Sequence, residues 1–368
     1  MADRRLYASS AASVEPWAQA LAERELLDAA AGGDLRLHAS TLRGEVLSIG
    51  AHAAEPGAAR PTAGAEDGRT WRRRTGGRPV ACGEGFALLT LALPHRAALL
   101  GPSGSALAPE QVMNRAVRGL LAMLRGAGLE PIYPGLDTVT VGGRIVAHTS
   151  FAETAAGSVL FQAILGCRRS IAESTRLLDR LDPQGRIATP PVAETAATSL
   201  AALAHMARGR GSSAAAALDD LAAADPARLA VHAAAAWADV FGLEVASPST
   251  ATIGSLDRVP PPFEPGDYDM FAPAHGAASA SVVGRLGIVT AWVLARDARI
   301  AAAGLGGDLI APEGATRRIA AALEGLPLDG PAIVAGLDRV LDRDRNWVLG
   351  PTPGELAHLF ARAAAEAA

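Results

Sequence analysis

RRRTGGRPVACGEG, running from Arg72 to Gly85, places four arginines and two adjacent glycines directly before an apolar strand. Gly76 and Gly77 let the backbone approach a ligand closely and adopt positive φ. Backbone N–H groups in such a loop bind carboxylate or phosphate, and Arg72, Arg73, Arg74 and Arg78 add planar charged donors. Thr75 adds one hydroxyl. The segment that follows, Phe86-Ala-Leu-Leu-Thr-Leu-Ala-Leu-Pro94, is a strongly apolar strand ended by proline. A ligand with an anionic head and an apolar tail suits that neighbourhood. The loop lacks the closing Gly-Lys-Ser/Thr of a Walker loop, and no G-x-G-x-x-G follows a strand.

Upstream, Ser13 is expected to cap a helix over about 14–31 that closes near Gly32. Two alternating strands follow, Leu35 to Ser40 and Glu45 to Gly50, then an Ala/Gly/Pro-rich loop over 51–70. Downstream, Pro109 opens a helix carrying Val112, Met113, Ala116, Leu120 and Leu124. Thr138–Val141 and Arg144–Ala147 form a hairpin around Gly142-Gly143. Ser158 to Leu165 is another buried strand. Residues 170–245 read as helical, with Asp225-Pro226 opening a helix that reaches Phe241. A hairpin around Asp297 and helices near 313–324, 330–342 and 353–367 make a second unit. The expected fold class is α+β, a mainly antiparallel sheet covered by helices plus a small α+β accessory domain. The expected division is a domain over 1–245, a linker over 246–279 containing Pro260-Pro-Pro-Phe263, and a domain over 280–368.

The chain of 368 residues is long enough for two domains. Its hydrophobic share of 49 %, charged share of 20 % and net charge of −4 indicate a sizeable core. They point away from nucleic acid or an anionic membrane as main partner. MADRRLYASS has no signal-peptide core behind its arginines, and no run of about 18 apolar residues exists, so a cytoplasmic location is expected. Cys82 and Cys167 make neither a disulfide framework nor a metal cluster. All 34 basic residues are arginine, where ordinary composition predicts on the order of 20 lysines. No chemical step in this chain can use a lysine.

RRRTGGRPV resembles the R-R-x-S/T-G-G-G/R-x-V signature of lipoate–protein ligases and their octanoyl-transferase relatives, in the class with a biotin/lipoate ligase catalytic domain and a C-terminal accessory domain. The resemblance extends over nearly the whole chain. Tyr133-Pro-Gly-Leu-Asp137 resembles the family's G-x-N-D element, with Asp137 at the aspartate. The hairpin resembles the G-R-K-I/V-A/S-G segment. In the second unit, Gly307-Asp308, Leu323–Leu328 and Thr352–Leu356 follow the family's order. The G-R-G-R-x-G-R type loop of biotin ligases is not present.

The resemblance implies ATP-dependent activation of lipoate or a medium-chain acyl group such as octanoate, with Mg2+. Transfer follows to a lysine of a lipoyl domain, in a 2-oxoacid dehydrogenase E2 subunit or the glycine cleavage H protein. It implies that Arg73, Arg78, Pro79, Val80 and Ala81 touch the nucleotide. Thr75, Gly76, Gly77, Asp137 and Ile145 are implied to meet the acyl substrate, and no protein metal cluster is implied. The family's lysine falls on Arg144 when counted from Asp137, or on Ile145 when Gly143-Arg144-x-Val146-Ala147 is matched. The second register agrees with more neighbours and puts His148 where glycine is usual. Arg144 is the candidate stand-in for the lysine charge. The family's H-D after the loop is replaced by Ala81-Cys82-Gly83-Glu84.

Three functions follow as expectations: an acyl ligase, a binding protein that keeps the pocket without chemistry, and an acyltransferase using Cys82 as nucleophile. His148 is read as capping the hairpin end, with substrate pairing as the alternative. Trp237, Val240 and Phe241 are read as core, and Asp342 and Asp344 as surface partners of neighbouring arginines.

Overall fold

The computed structural model describes residues 4–53, 70–100, 107–135, 137–181, 190–246 and 273–368. The proline run at 260–263, most of the expected linker and most of the 51–70 loop lie outside the described residues.

The strands come in the order β1 (Arg5–Val14), β2 (Leu35–Leu42), β3 (Glu45–Ile49), β4 (Thr70–Arg72), β5 (Val80–Gly83), β6 (Phe86–Leu93) and β7 (Pro131–Ile132). Then follow β8 (Thr138–Val141), β9 (Arg144–Glu153), β10 (Val159–Gly166) and β11 (Glu244–Ala246), and near the C-terminus β12 (Ala278–Gly284), β13 (Gly287–Arg296) and β14 (Arg299–Gly307). The helices that carry the architecture are α1 (Pro16–Ala31), α2 (Pro109–Gly126), α3 (Glu173–Leu181), α4 (Leu200–Gly209), α5 (Ala215–Ala222) and α6 (Pro226–Phe241). Close to the C-terminus they are α7 (Ala315–Leu323), α8 (Gly330–Val340) and α9 (Pro353–Ala367).

The two greasiest strands, β6 and β10, are buried throughout and pair antiparallel at the centre of the main sheet. A strand that is apolar at every position belongs where both faces are covered. The sheet order is β11-β1-β2-β6-β10-β9-β8-β7. It is antiparallel from β2 to β7 and parallel at the β11–β1–β2 end, so the sheet is mixed with a mainly antiparallel body. One face packs Leu89, Leu91, Phe161 and Ala163 against α2 and α6, with Trp237 fully buried between them. The other face changes character along its length. Ala92 and Leu160 meet Leu26, Leu27 and Ala30 of α1. Phe86, Leu88 and Ile164 meet the small β4-β3-β5 sheet. Between those apolar ends lie buried Thr90, Gln162 and Ser150, and there the arginine–glycine loop after β4 sits.

The C-terminal unit is the antiparallel sheet β12-β13-β14 covered by α7, α8 and α9 around its own core, with Val289, Val293, Ile319 and Phe360 fully buried. It is tied to the larger unit by several bonds. Gly307 N–H donates to the His52 carbonyl at 2.6 Å and Glu313 N–H to the Glu153 carbonyl at 2.8 Å. Arg96 bridges Glu153 and the carbonyls of Arg343 and Asp344, and Trp347 stacks on Phe151 with centroids 5.5 Å apart.

Three local expectations are revised. Helix α1 starts at Pro16, not Val14: its N-cap is Glu15, whose side chain makes no cap bond, while Ser13 lies in β1 with φ 52°, at the register shift between Ala11 and Val14. Pro16 supplies the preset first-turn φ instead. The segment 170–245 is several short helices, α3 to α6, followed by the edge strand β11. Asp342 accepts from the backbone N–H of Asp344, Arg345 and Asn346, so it orders its own turn rather than pairing with neighbouring arginines.

Candidate functional site

The loop after β4 crosses the polar middle of the main sheet. Arg73 N–H donates to the Ile49 carbonyl, and Ala51 N–H to the Thr75 carbonyl, which fixes both ends of the turn against β3. The Thr75 hydroxyl donates to Gln162 Oε1 at 2.7 Å and accepts from Ser150 Oγ at 2.7 Å. Gln162 Nε2 donates in turn to Glu23 on α1. This chain of side chains ties helix, sheet and loop together inside the protein. Its sequence signal was the single polar residue Gln162 in the otherwise apolar β10, which a purely apolar reading of that strand passes over.

Arg73 is 2 % exposed. Its three nitrogens donate to Thr75 Oγ1, to Ser48 O and Oγ, and to the carbonyls of Gly76 and Arg78. Each of these partners is neutral. Burial pushes its pKa down to about 10, opposed at longer range by Cys82, Asp308, Glu23 and Asp137. Arg78 uses Nε for Asp137 Oδ2 at 2.8 Å. Arg72 turns away and holds the Gly50, Ala51 and Ala53 carbonyls. Arg74 lies beside Glu23, to which its backbone N–H donates.

Loop and hairpin enclose a narrow cavity between Arg73, Gly77 and Arg78 on one side and Asp137, His148 and Ser150 on the other. Val80 and Ile164 add apolar wall. The space left is about that of one water molecule. Strand β9 carries a bulge, because Val139 pairs with Ala147 while Thr140 pairs with Ile145. One extra residue flips the following side chains, which brings Ile145 to the face of His148 and Ser150.

Among the residues expected from sequence, Arg73, Arg78, Val80, Gly77 and Asp137 line the cavity. Thr75 lies just beneath it through Ser150. Pro79 is buried, and Ala81 N–H is spent on Ser174 Oγ at 2.8 Å. Gly76 faces the C-terminal unit, and a Cβ there would lie 2.2 Å from the Leu309 carbonyl oxygen. Gly77, at φ 86°, donates its N–H to that same oxygen at 2.8 Å. Ile145 packs with the apolar cluster between the two sheets. Arg144 donates twice to the Ala197 carbonyl, at 2.6 and 3.1 Å, and does not line the cavity. Cys82 is 1 % exposed, and burial pushes its thiol pKa far up against the opposing pull of Arg73. That is the reverse of what an activated thiolate needs. His148, read as a hairpin-end residue, lies in the cavity wall. Among the described residues no three His, Cys, Asp or Glu side chains cluster as a metal site, and no helix is long and apolar enough to cross a membrane.

Glu23 gives the site a pH dependence. Burial raises its carboxyl pKa from 4.5 to about 7, against the lowering effects of Arg74, Gln162 and Gln19. The folded state thus holds this proton more tightly than the unfolded state. The stability contribution is complete below about pH 4.5 and falls by about 3 kcal/mol as the pH rises through 7. Glu23→Gln should therefore gain about 3 kcal/mol on the parent protein between about pH 5 and 8 in denaturant titrations. His38 and His148, both pushed down to about 4 by burial, act alike in both proteins and cancel in the difference. A difference that stays constant with pH would show that Glu23 does not titrate there.

No family model and no curated protein matches the sequence. Solved structures do match. LipL1 of P. falciparum, in complex with lipoate, superposes with TM-score 0.54 at 9 % identity, over 92 % of this chain and 96 % of that one. Lipoate-protein ligase A bound with ATP gives TM-score 0.44 at 13 % identity, over 69 % and 92 %. The bi-partite lipoate protein ligase of Thermoplasma acidophilum, described with its E2 lipoyl domain, gives 0.42 at 13 %, over 70 % and 90 %. At such identities the likeness is one of fold. With its mixed sheet under helices, its arginine–glycine loop over the sheet and its separate C-terminal antiparallel sheet, the chain has a lipoate-ligase-like fold.

Proposed function

We propose that this protein binds an acyl ligand with an anionic head, lipoate, octanoate or the corresponding acyl-adenylate, and holds it without ligating it. The observation that carries this reading is Arg73. A fully buried guanidinium whose direct contacts are all neutral puts a positive charge at the wall of a cavity, with the carboxylates of Asp308, Glu23 and Asp137 acting on it only from longer range. Buried charges are ordinarily paired, and an anionic head supplies the missing partner. Arg78 engages Asp137 through Nε, and its terminal amino groups are suited to carboxylate or phosphate oxygens. Val80 and Ile164 are the apolar side of the cavity, which must widen beyond its one-water volume to take the chain of the ligand.

Ligation by the lysine-dependent route has no lysine here. At one candidate position Ile145 is apolar and packed, and at the other Arg144 is committed to Ala197. Of the groups that the family resemblance implies, ATP would meet Arg78 through its phosphates, while Arg73, whose five N–H groups are all engaged, would act on it by charge alone. For Mg2+ the cavity offers one carboxylate, that of Asp137, already engaged by Arg78, so the residues present do not fit the ion. A lipoyl domain is the partner to which a held acyl group would be presented.

The test combines two readouts. The protein is mixed with ATP, Mg2+, lipoate and an apo lipoyl domain, and the acceptor is weighed by mass spectrometry. In parallel, thermal unfolding is followed with lipoate and with lipoyl-AMP. The expected result is an unmodified acceptor and stabilisation of about 2.7 kcal/mol at a hundredfold excess over Kd, a shift of several degrees. A lipoylated acceptor restores the ligase reading. A mass shift on the protein itself, lost in Cys82→Ser, restores the acyltransferase. No stabilisation by either ligand refutes the pocket.

A further inference from the structure

Three buried polar atoms of residues in the cavity wall lack a protein partner, and besides the Thr149 hydroxyl two of them are pure acceptors. His148, 4 % exposed, has Nδ1 at 3.2 Å from the Asp137 carbonyl oxygen. That oxygen only accepts, so Nδ1 carries the ring proton and Nε2 presents a lone pair. Nε2 is buried and unpartnered. Asp137 spends Oδ2 on Arg78 Nε, and its other oxygen, Oδ1, is also buried and unpartnered. Native folds satisfy nearly all buried polar atoms. Two unsatisfied acceptors on adjoining residues of one cavity therefore call for a donor from outside the chain.

The surroundings decide which donor. The charged groups acting on the ring are the Asp137 carboxylate, 3.7 Å from Nδ1, and Arg78 and Arg73. Burial outweighs them all and keeps the imidazole neutral near pH 7, as an acceptor. Two guanidinium groups beside the cavity disfavour an ammonium donor. A hydroxyl supplies the proton without the charge.

We propose that His148 Nε2 and Asp137 Oδ1 accept hydrogen bonds from hydroxyl groups of the ligand, so that the pocket selects a hydroxylated acyl ligand over its unhydroxylated counterpart. The proposal rests on the reading of the pocket as an acyl-anion site. The hydroxyl has two possible sources with the same chemistry: the ribose of an acyl-adenylate, whose vicinal diol matches two acceptors, or a hydroxy acid. A site built around a hydroxyl discriminates against ligands lacking it because its acceptors are then left unpaired. His148 is thus a specificity-determining residue, and the geometry gives it this role through a ring nitrogen that no protein group uses.

Calorimetric titration of the full chain with two ligand pairs tests this. The first pair is 3-hydroxyoctanoate against octanoate. The second is a non-hydrolysable octanoyl-adenylate analogue against its 2′,3′-dideoxy form. The expected result is about tenfold tighter binding of the hydroxylated member in one pair, the order of one hydrogen bond, and the pair that discriminates identifies the source. The ratio should fall toward one in His148→Phe, which removes both nitrogens but keeps a ring. It should partly return in His148→Gln, which keeps an acceptor. If octanoate binds but both ratios are near one, the atoms serve an ordered water and this proposal fails while the acyl-anion reading stands. A ratio unchanged in His148→Phe overturns it equally. If none of the four ligands binds the folded protein, the acyl-anion reading falls and the proposal with it.

Discussion

Arg73→Leu should cost about 3 kcal/mol of stability and weaken binding of an acyl-adenylate more than about a hundredfold. The stability loss comes from the acceptors left behind. Without the guanidinium, the carbonyls of Gly76 and Arg78 lose their donor, and each such orphan costs about 1–3 kcal/mol. Relief from burying a lone charge offsets part of this, which holds the expected net effect near the cost of one or two orphans. The binding loss has a separate cause, the removal of the charge that attracts the anionic head. Arg73→Lys separates the two. An ammonium keeps the charge but cannot reach acceptors spread along three sides of a planar fork. It should recover more of the affinity than of the stability, as read by denaturant midpoint and calorimetry. Wild-type affinity in the leucine variant would remove Arg73 from the binding account.

The second large effect concerns Gly76. Its Cβ would stand 2.2 Å from the Leu309 carbonyl oxygen and 2.8 Å from Ile310 Cα. Both obstacles are backbone, so no rotamer relieves the clash. Gly76→Val should push the C-terminal unit off the loop, break the Gly77–Leu309 hydrogen bond and cost about 3 kcal/mol or more, the upper end of overpacking. Amide exchange at Gly77 and Gly307, whose N–H groups bond across the two units, should accelerate, and the Phe151–Trp347 stack should open. Protection unchanged at both amides would show that the units are not held together at this point. The neighbouring Gly77 behaves differently. A side chain there meets Arg73 Nη2 only at 3.4 Å, and its difficulty is φ 86°, a backbone strain of about 1–2 kcal/mol.

Much of the frame was legible because its signals are local. Phe86–Leu93 and Val159–Gly166 are apolar at nearly every position, which only a doubly covered strand tolerates. Pro109 and the Asp225-Pro226 pair opened α2 and α6 as their chemistry requires. The hairpins at Gly142-Gly143 and Asp297 followed from turn residues, with Asp297 and Ala298 both at positive φ. Strand β1 was not legible. Its Ala/Ser-rich sequence has little alternation, and it owes its conformation to pairing with β2 on one side and β11 on the other.

The site divides along the same line. The sequence by itself determined the chemistry in the loop, namely arginines, paired glycines and an apolar strand beside them, and it excluded lysine chemistry everywhere. Only the tertiary structure decided what those groups do. It sank Arg73 among neutral oxygens, buried Cys82 within β5 of the small sheet, tied Arg144 to Ala197, and set His148 beside Ile164 of β10 in the cavity wall. It also set Leu309 and Ile310 against Gly76. The reason is physical. Residue type and local propensity are properties of neighbours in the chain. Burial, charge compensation and unsatisfied hydrogen bonds arise only when distant segments share one low-dielectric space.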